Sequence, residues 1–238
     1  GSTYQAEVGT AAPVGDCRYS KMAVFSFHPV KTITTGEGGA ITLNDPALHR
    51  RLSQLRSHGT IRENSLWENR TLAFDRLGKP NPWYYEMQEP GFNYRMTDFQ
   101  CALGVAQLAK LGRFVGRRRE LMSRYRQLLG PLAPSIRMAD APANCGPAWH
   151  LCVCLIDFVA LGVDRATVMN RLKANGIGSQ VHYIPVHLQP YYRKRYGQLN
   201  LPGAEAYYAR CLSLPLFPGM TSDDVDRVVS ALAEAIRN

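Results

Sequence analysis

The stretch that most constrains this chain is Val24-Phe25-Ser26-Phe27-His28-Pro29-Val30-Lys31, continued by Thr32-Ile33-Thr34-Thr35-Gly36-Glu37-Gly38-Gly39-Ala40. Met22 to Phe27 reads as an apolar strand. Pro29 cannot donate to a central ladder, so the strand must turn there. The turn presents one lysine, Lys31, and a glycine-rich loop leads into a second apolar strand, Ala40 to Leu43. A lysine at a strand end, beside backbone that glycine lets approach closely, sits where burial can occur. Burial disfavours the charged form of a lysine and frees its amine for Schiff-base chemistry.

The flanking chain supports an α/β organisation. Asp45 and Pro46 suit the N-cap and first position of a helix carrying Leu48, Leu52 and Leu55, which Gly59 ends. Residues 60–92 read as a long, polar, aromatic loop broken by Pro80, Pro82 and Pro90, a length usually kept for function. Thr97 and Gln100 form a capping box before a helix bearing Ala102, Leu103 and Ala106. A second helix runs from Phe114 to Leu129. Arg117, Arg118 and Arg119 are expected on its exposed face. Prolines 131, 134, 142 and 147 mark a connector, and the domain boundary is set there, at 130/131.

Beyond it a β-α-β-β-α pattern is expected. Its parts are a strand at 149–158, a helix capped by Asp164, a strand at 177–184 and a loop at 185–203. A short helix at 204–209, a strand at 211–216 and a last helix capped by Thr221 and Asp224 complete it. The first fifteen residues read as an irregular hairpin with Pro13 and Gly15 at turns.

Composition narrows the class. The 238 residues are 45% hydrophobic, enough for a core, and contain no apolar run long enough to cross a membrane. No signal sequence is read, and the scattered thiols fit a reducing cytoplasm. Cys152 and Cys154 alternate on one strand face, as buried packing does. No metal site is expected, because His182 and His187 have no carboxylate or thiol partner in the pattern. The net charge of +9 raises nucleic acid as a partner. The arginines are dispersed, however, without an aromatic-interleaved stripe, so phosphate-bearing small ligands suit the charge better.

The run SFHPVKTITTGEGGA resembles the cofactor-lysine motif of the DegT/StrS family of pyridoxal-phosphate (PLP) sugar aminotransferases. Within it, the nearest likeness is to nucleotide-sugar 4-aminotransferases of pseudaminic acid biosynthesis. The resemblance implies the C-terminal part of a type I aminotransferase fold. Residues 1–130 would be the remaining part of the PLP-binding large domain, and 131–238 a small α+β domain. It implies that Lys31 bonds PLP and later moves a proton, that Ser26 holds the cofactor phosphate, and that Asn93 of Asn-Tyr-Arg reaches the partner subunit's cofactor in a homodimer. It implies substrate contacts from Arg95, Tyr183 and His187, a nucleotide-sugar acceptor and glutamate as donor. His28 and His182 receive no firm role. The phosphate loop, stacking aromatic and ring-nitrogen aspartate of the family belong to an N-terminal part that these residues do not include, so the activity is expected of the intact protein. Lys31 argues against the family's dehydratase branch, which has histidine there. The reading of another class is a non-enzymatic basic interaction fragment.

Overall fold

The computed structural model describes residues 2–7 and 10–237. The chain divides into two compact units: Ala12–Leu108, and Gly1–Ala11 together with Ala109–Asn238.

In the first unit, β3 (Ala23–Ser26) pairs antiparallel with β4 (Gly39–Thr42), in the register Ala23–Thr42 through Ser26–Gly39. Each lies within two residues of the expected strand. Gly39 is required here, because a Cβ would stand 2.6 Å from the Phe25 carbonyl oxygen. Helix α1 (Pro46–Arg56) begins as expected, with the Asp45 carboxylate accepting from the amides of Ala47 and Leu48.

The loop expected at 60–92 holds more structure than its prolines suggest. Strands β5 (Thr60–Ile61) and β6 (Glu86–Met87) pair antiparallel, and a 3-10 turn (Asn64–Leu66) and helix α2 (Arg70–Ala73) lie between them. These elements are too short to show periodicity. Their core is the buried Trp67, packed edge-on against Phe74 and Tyr84. Helix α3 (Asp98–Leu108) starts at the Thr97–Gln100 box as expected. Its expected apolar stripe is not covered within this unit: Ala102, Leu103 and Ala106 are exposed.

The second unit contains the main core. Strands β1 (Thr3–Glu7), β2 (Thr10–Pro13, of which Thr10 and Ala11 belong to this unit) and β8 (Cys145–Gly146) form a ribbon in the order β2-β1-β8. The tip of the expected hairpin, at 8 and 9, lies outside the described residues. A second antiparallel sheet has the order β10-β9-β7, from β10 (Cys211–Leu214), β9 (Cys152–Ile156) and β7 (Ile136–Met138). Strand β7 corrects the expectation of an unstructured connector. Ile136 is fully buried and Met138 nearly so, and three residues between prolines are too few for a period-2 signal to stand out. The expected strand at 177–184 is also corrected. Only Gln180 bridges to the sheet, opposite Ser213, although Gln180 and Ser213 exchange both backbone hydrogen bonds.

Helix α4 (Leu111–Leu129) packs Leu121, Met122, Tyr125 and Leu129 into this core. Helix α5 (Arg165–Ala174) adds Val168 and Leu172 behind its Asp164 cap. Helices α6 (Pro190–Tyr196) and α7 (Pro202–Arg210) divide the segment expected as a loop followed by a short helix. Helix α8 (Ser222–Ala235) has the expected Thr221–Asp224 capping box and buries Val225, Val228, Val229 and Leu232. Arg124 of α4 meets Asp226 of α8 in a two-pronged ion pair, both contacts 2.7 Å. Cys152 and Cys154 are fully buried on one face of β9, as their alternation predicts.

The arginine run needs one correction. Arg118 is only 5% exposed, and its guanidinium donates to the carbonyls of Leu216 (2.6 Å) and His150 (3.3 Å). Arg119 donates to Pro147 and Gly146, while Arg117 pairs with Glu120 and caps the Met220 carbonyl. Three successive arginines cannot share one helix face, so one of them turns inward. Carbonyls that no strand satisfies receive it.

Truncating Leu232 to alanine should destabilise the second unit by about 2–5 kcal/mol, the range for a fully buried leucine. Thr221→Ala should cost about 1 kcal/mol through loss of the cap. Urea denaturation checks both, and equal effects would contradict this account of the core.

Candidate active site and its neighbours

The lysine turn is built from the backbone of one residue. Phe27 donates its amide to the Gly38 carbonyl (2.9 Å), and its carbonyl accepts from the Thr35 amide (3.0 Å) and the Thr34 hydroxyl (3.0 Å). The loop therefore folds back against the end of β3. Within the turn, the Lys31 amide donates to the His28 carbonyl at 2.9 Å, and the Ser26 hydroxyl accepts from the His28 amide at 3.4 Å. The glycine loop is fixed from outside as well: Thr35 donates to the Glu37 carbonyl at 2.7 Å, and Gln100 of α3 donates to the same oxygen at 3.0 Å. The capping box thus both starts α3 and grips the loop.

Ser26 and His28 are exposed and Lys31 is half-buried. Ser26 and Lys31 share one strand end and its turn. No ion pair or hydrogen bond of the Lys31 amine occurs among the described residues, and none of the carboxylates there neutralises it. A free amine on a turn that starts at an exposed hydroxyl and runs into a glycine-rich loop has the donor chemistry that a phosphorylated aldehyde requires, so these residues fit PLP.

Asn93 and Arg95 lie on a segment laced to the end of α1. Phe92 donates to Leu55 (2.6 Å), His58 donates to Phe92 (2.8 Å) and Tyr94 donates to Arg56 (3.0 Å), with Ser57 bridged to Asn93. Gly59 permits this contact, since a Cβ there would overlap the Glu89 carbonyl. His58 adopts φ 62°, a left-handed conformation that non-glycine residues enter only when their surroundings hold them there. Phe92 and Tyr94 stack at 4.7 Å, and Asn93 and Arg95 are exposed. Arg95 lines a cavity of about 1030 Å³ in the same unit.

Tyr183 and His187 belong to the other unit. Tyr183 is 65% exposed and meets the His182 ring edge-on. His187 is buried, and its Nε2 lies 3.0 Å from a Glu205 oxygen that also accepts the Leu201 amide. This hydrogen bond from His187 is the main reason the Glu205 carboxyl falls below its ordinary value. His182 lies 2.8 Å from the Ser213 hydroxyl.

Sequence reasoning missed Glu86, which organises the 60–92 segment. It is buried and accepts from the amides of Glu68 (2.8 Å) and Asn69 (2.7 Å), the Tyr84 hydroxyl (2.7 Å) and the Gln88 amide (3.0 Å). Burial alone would push its carboxyl up, but these bonds outweigh it and bring the pKa down to about 2. The Tyr84 hydroxyl is pushed up to about 12, by burial first and then by Glu86. A carboxylate among polar residues carries no signal in sequence, because two of its four partners are backbone amides, which every residue offers.

The class of protein is now set by an antiparallel strand pair, a lysine turn clamped by its glycine loop, and an α+β unit after a long helix. The chain belongs to the DegT/DnrJ/EryC1/StrS aminotransferase family, which it matches over residues 1–233. It is 38% identical over 220 residues to the spore coat polysaccharide biosynthesis protein SpsC of Bacillus subtilis, covering 90% of this chain and 53% of SpsC. Among solved structures, it resembles Helicobacter pylori PseC, an aminotransferase of pseudaminic acid biosynthesis, with TM-score 0.79 and 26% identity over 92% of this chain and 54% of PseC. It also resembles S. venezuelae DesV, solved in complex with a ketimine intermediate, with TM-score 0.73 and 30% identity over 91% of this chain and 52% of DesV. The fold is accordingly the α/β fold of type I aminotransferases, and the chain spans about half the length of the relatives it matches.

Glu86 gives a pH prediction. Its folded pKa of about 2 lies below the ordinary 4.5, so its contribution is complete above 4.5 and is lost as pH falls toward 2. Exchange of the Glu68 and Asn69 amides, corrected for intrinsic rates, should accelerate across that window. Glu86→Gln should show the acceleration at neutral pH, since an amide cannot accept all four bonds. Unchanged protection in the variant would remove Glu86 as the organiser of this segment.

Proposed function

We propose that the intact protein is a PLP-dependent aminotransferase acting on a nucleotide-linked deoxysugar, with glutamate as donor and a C4 ketone as acceptor. The observation that carries the reading is Lys31, with its unpaired amine on a turn shared with Ser26, in a chain that matches an aminotransferase family over nearly its whole length. When bound, PLP supplies a reactive aldehyde and an electron sink. Lys31 provides the amine that holds it covalently. Freed from the cofactor, the Lys31 amine would be the base that takes up and hands on the substrate's proton. Ser26 would hold the cofactor phosphate through its hydroxyl.

Asn93 reaches the partner subunit's cofactor in a homodimer, so a complete site needs both chains. Arg95 binds an anionic group of the substrate, a task suited to its planar fork. Tyr183 contacts the sugar. His187, whose ring is held by Glu205, is the second substrate contact from this segment. In this reading residues 1–130 serve the cofactor domain and 131–238 the small domain, in a cytoplasmic enzyme. The likeness to PseC supports a pseudaminic-type substrate.

Lys31→Ala in the intact protein should lower turnover by at least about 100-fold, the lower end of what a positioned proton-transfer group supplies, without unfolding the chain. Reduction of the PLP-loaded protein with borohydride should leave the cofactor's mass on the peptide containing Lys31 and no other. A label on another lysine, or a fully active Lys31→Ala protein, would refute the assignment.

A further inference from the structure

Residues 181–185, which carry Tyr183 and lead to His187, form no helix or strand. They are pinned instead by β10 and α7. Gln180 exchanges both backbone hydrogen bonds with Ser213 of β10, at 3.1 and 2.7 Å, and the His182 ring lies 2.8 Å from the Ser213 hydroxyl. From α7, the Tyr207 hydroxyl donates to the His182 carbonyl at 3.1 Å, and Glu205 takes the His187 ring at 3.0 Å. Burial raises the Tyr207 pKa, so its hydroxyl keeps the hydrogen it donates.

Of these contacts, the one from Glu205 also decides where a hydrogen sits. Its Oε1 accepts from the His187 ring and from the Leu201 amide (3.2 Å), and these bonds hold its carboxyl below the ordinary value. An ionised carboxylate can only accept, so Nε2 of His187 carries the hydrogen. In the neutral ring the other nitrogen, Nδ1, is then a bare acceptor. Nδ1 has no hydrogen-bond partner among the described residues, yet it is not one of the buried polar atoms left without one, so it keeps contact with solvent. The His187 side chain is only 5% exposed, and a ring so enclosed does not turn to exchange its two nitrogens. Ionised phosphate oxygens have no hydrogen to give such an acceptor, whereas a sugar hydroxyl has.

We propose that Glu205 is a positioning residue for the sugar: by holding the Nε2 hydrogen of His187, it presents Nδ1 as the acceptor for a hydroxyl of the substrate. The inference rests on the proposed function for the role of His187 as a substrate contact; the part played by Glu205 stands on the geometry.

The test is calorimetric titration of the intact protein with two nucleotide sugars, uridine diphosphate N-acetylglucosamine and thymidine diphosphate glucose, and with uridine and thymidine diphosphate alone. Glu205→Ala should weaken about tenfold the nucleotide sugar that wild type binds, and leave the matching nucleotide unchanged, because the contact it sets is to the sugar. Glu205→Leu, similar in bulk but without an acceptor, should do the same, and serves where alanine disturbs α7. His187→Ala should also lose about tenfold, and adding Glu205→Ala to it should cost nothing further, since Glu205 acts through that ring. Glu205→Gln, whose amide oxygen still accepts the Nε2 hydrogen, should lose less than about threefold. Circular dichroism checks that each variant is folded. Glu205→Ala or Glu205→Leu protein that binds as wild type, losses that multiply in the double variant, a Glu205→Gln protein as weak as Glu205→Leu, or an equal loss for the nucleotide alone would each overturn the proposal. If wild type binds none of the four ligands, it is the proposed substrate that fails, and the role of Glu205 falls with it.

Discussion

The backbone of Phe27 is the joint on which the lysine turn depends. One amide and one carbonyl bind both sides of a loop that has no regular structure. Buried or half-buried loop backbone must find partners, and few are available at the end of a two-stranded pair. By taking the Gly38 carbonyl and the Thr35 amide, Phe27 closes the loop over the strand end. The side chain of Lys31 is then left without a competing partner. The position of the reactive group follows from main-chain hydrogen bonding, and the glycines serve that bonding.

The same economy appears at the second unit's core. Arg118 is charged and buried with carbonyl partners only. Burial lowers its pKa, and the carbonyls compensate. The residues around it, Tyr125 and the Arg124–Asp226 fork, also join helix α4 to later chain through polar contacts: Tyr125 donates to the Pro215 carbonyl at 2.8 Å. Helix α4 therefore acts as a strut whose inward polar groups take up carbonyls left free where strands end.

What could be read from sequence follows the range of each interaction. Caps at Asp45, Asp164 and Thr221 act over three residues and were legible, as were the strands on either side of Lys31. The alternation of Cys152 and Cys154 was legible for the same reason. Strand β7 and the loss of a strand at 177–184 were not, because both depend on which backbone meets β9 and β10. Glu86 was hidden because the backbone amides that make it an organiser lie seventeen and eighteen residues away. Lys31, Ser26, Asn93 and Arg95 are singled out by family resemblance alone, whereas Arg50, Arg56 and Arg62 became visible only when the fold lined them along one cavity.

The cysteines acquire a use from their placement. Cys152, Cys154 and Cys211 are buried in one unit, while Cys101 is exposed in the other. The hydrogen bond to Cys154, with burial, holds the Cys152 thiol well above its usual range, and burial raises that of Cys211. Thiolate is the reactive form, so the folded second unit shields Cys152 and Cys211 twice, by access and by protonation, and Cys154 by access. The chain therefore carries a built-in chemical clock. An alkylating reagent marks Cys101 at once, and it marks the three core sulfurs at the rate at which their unit opens.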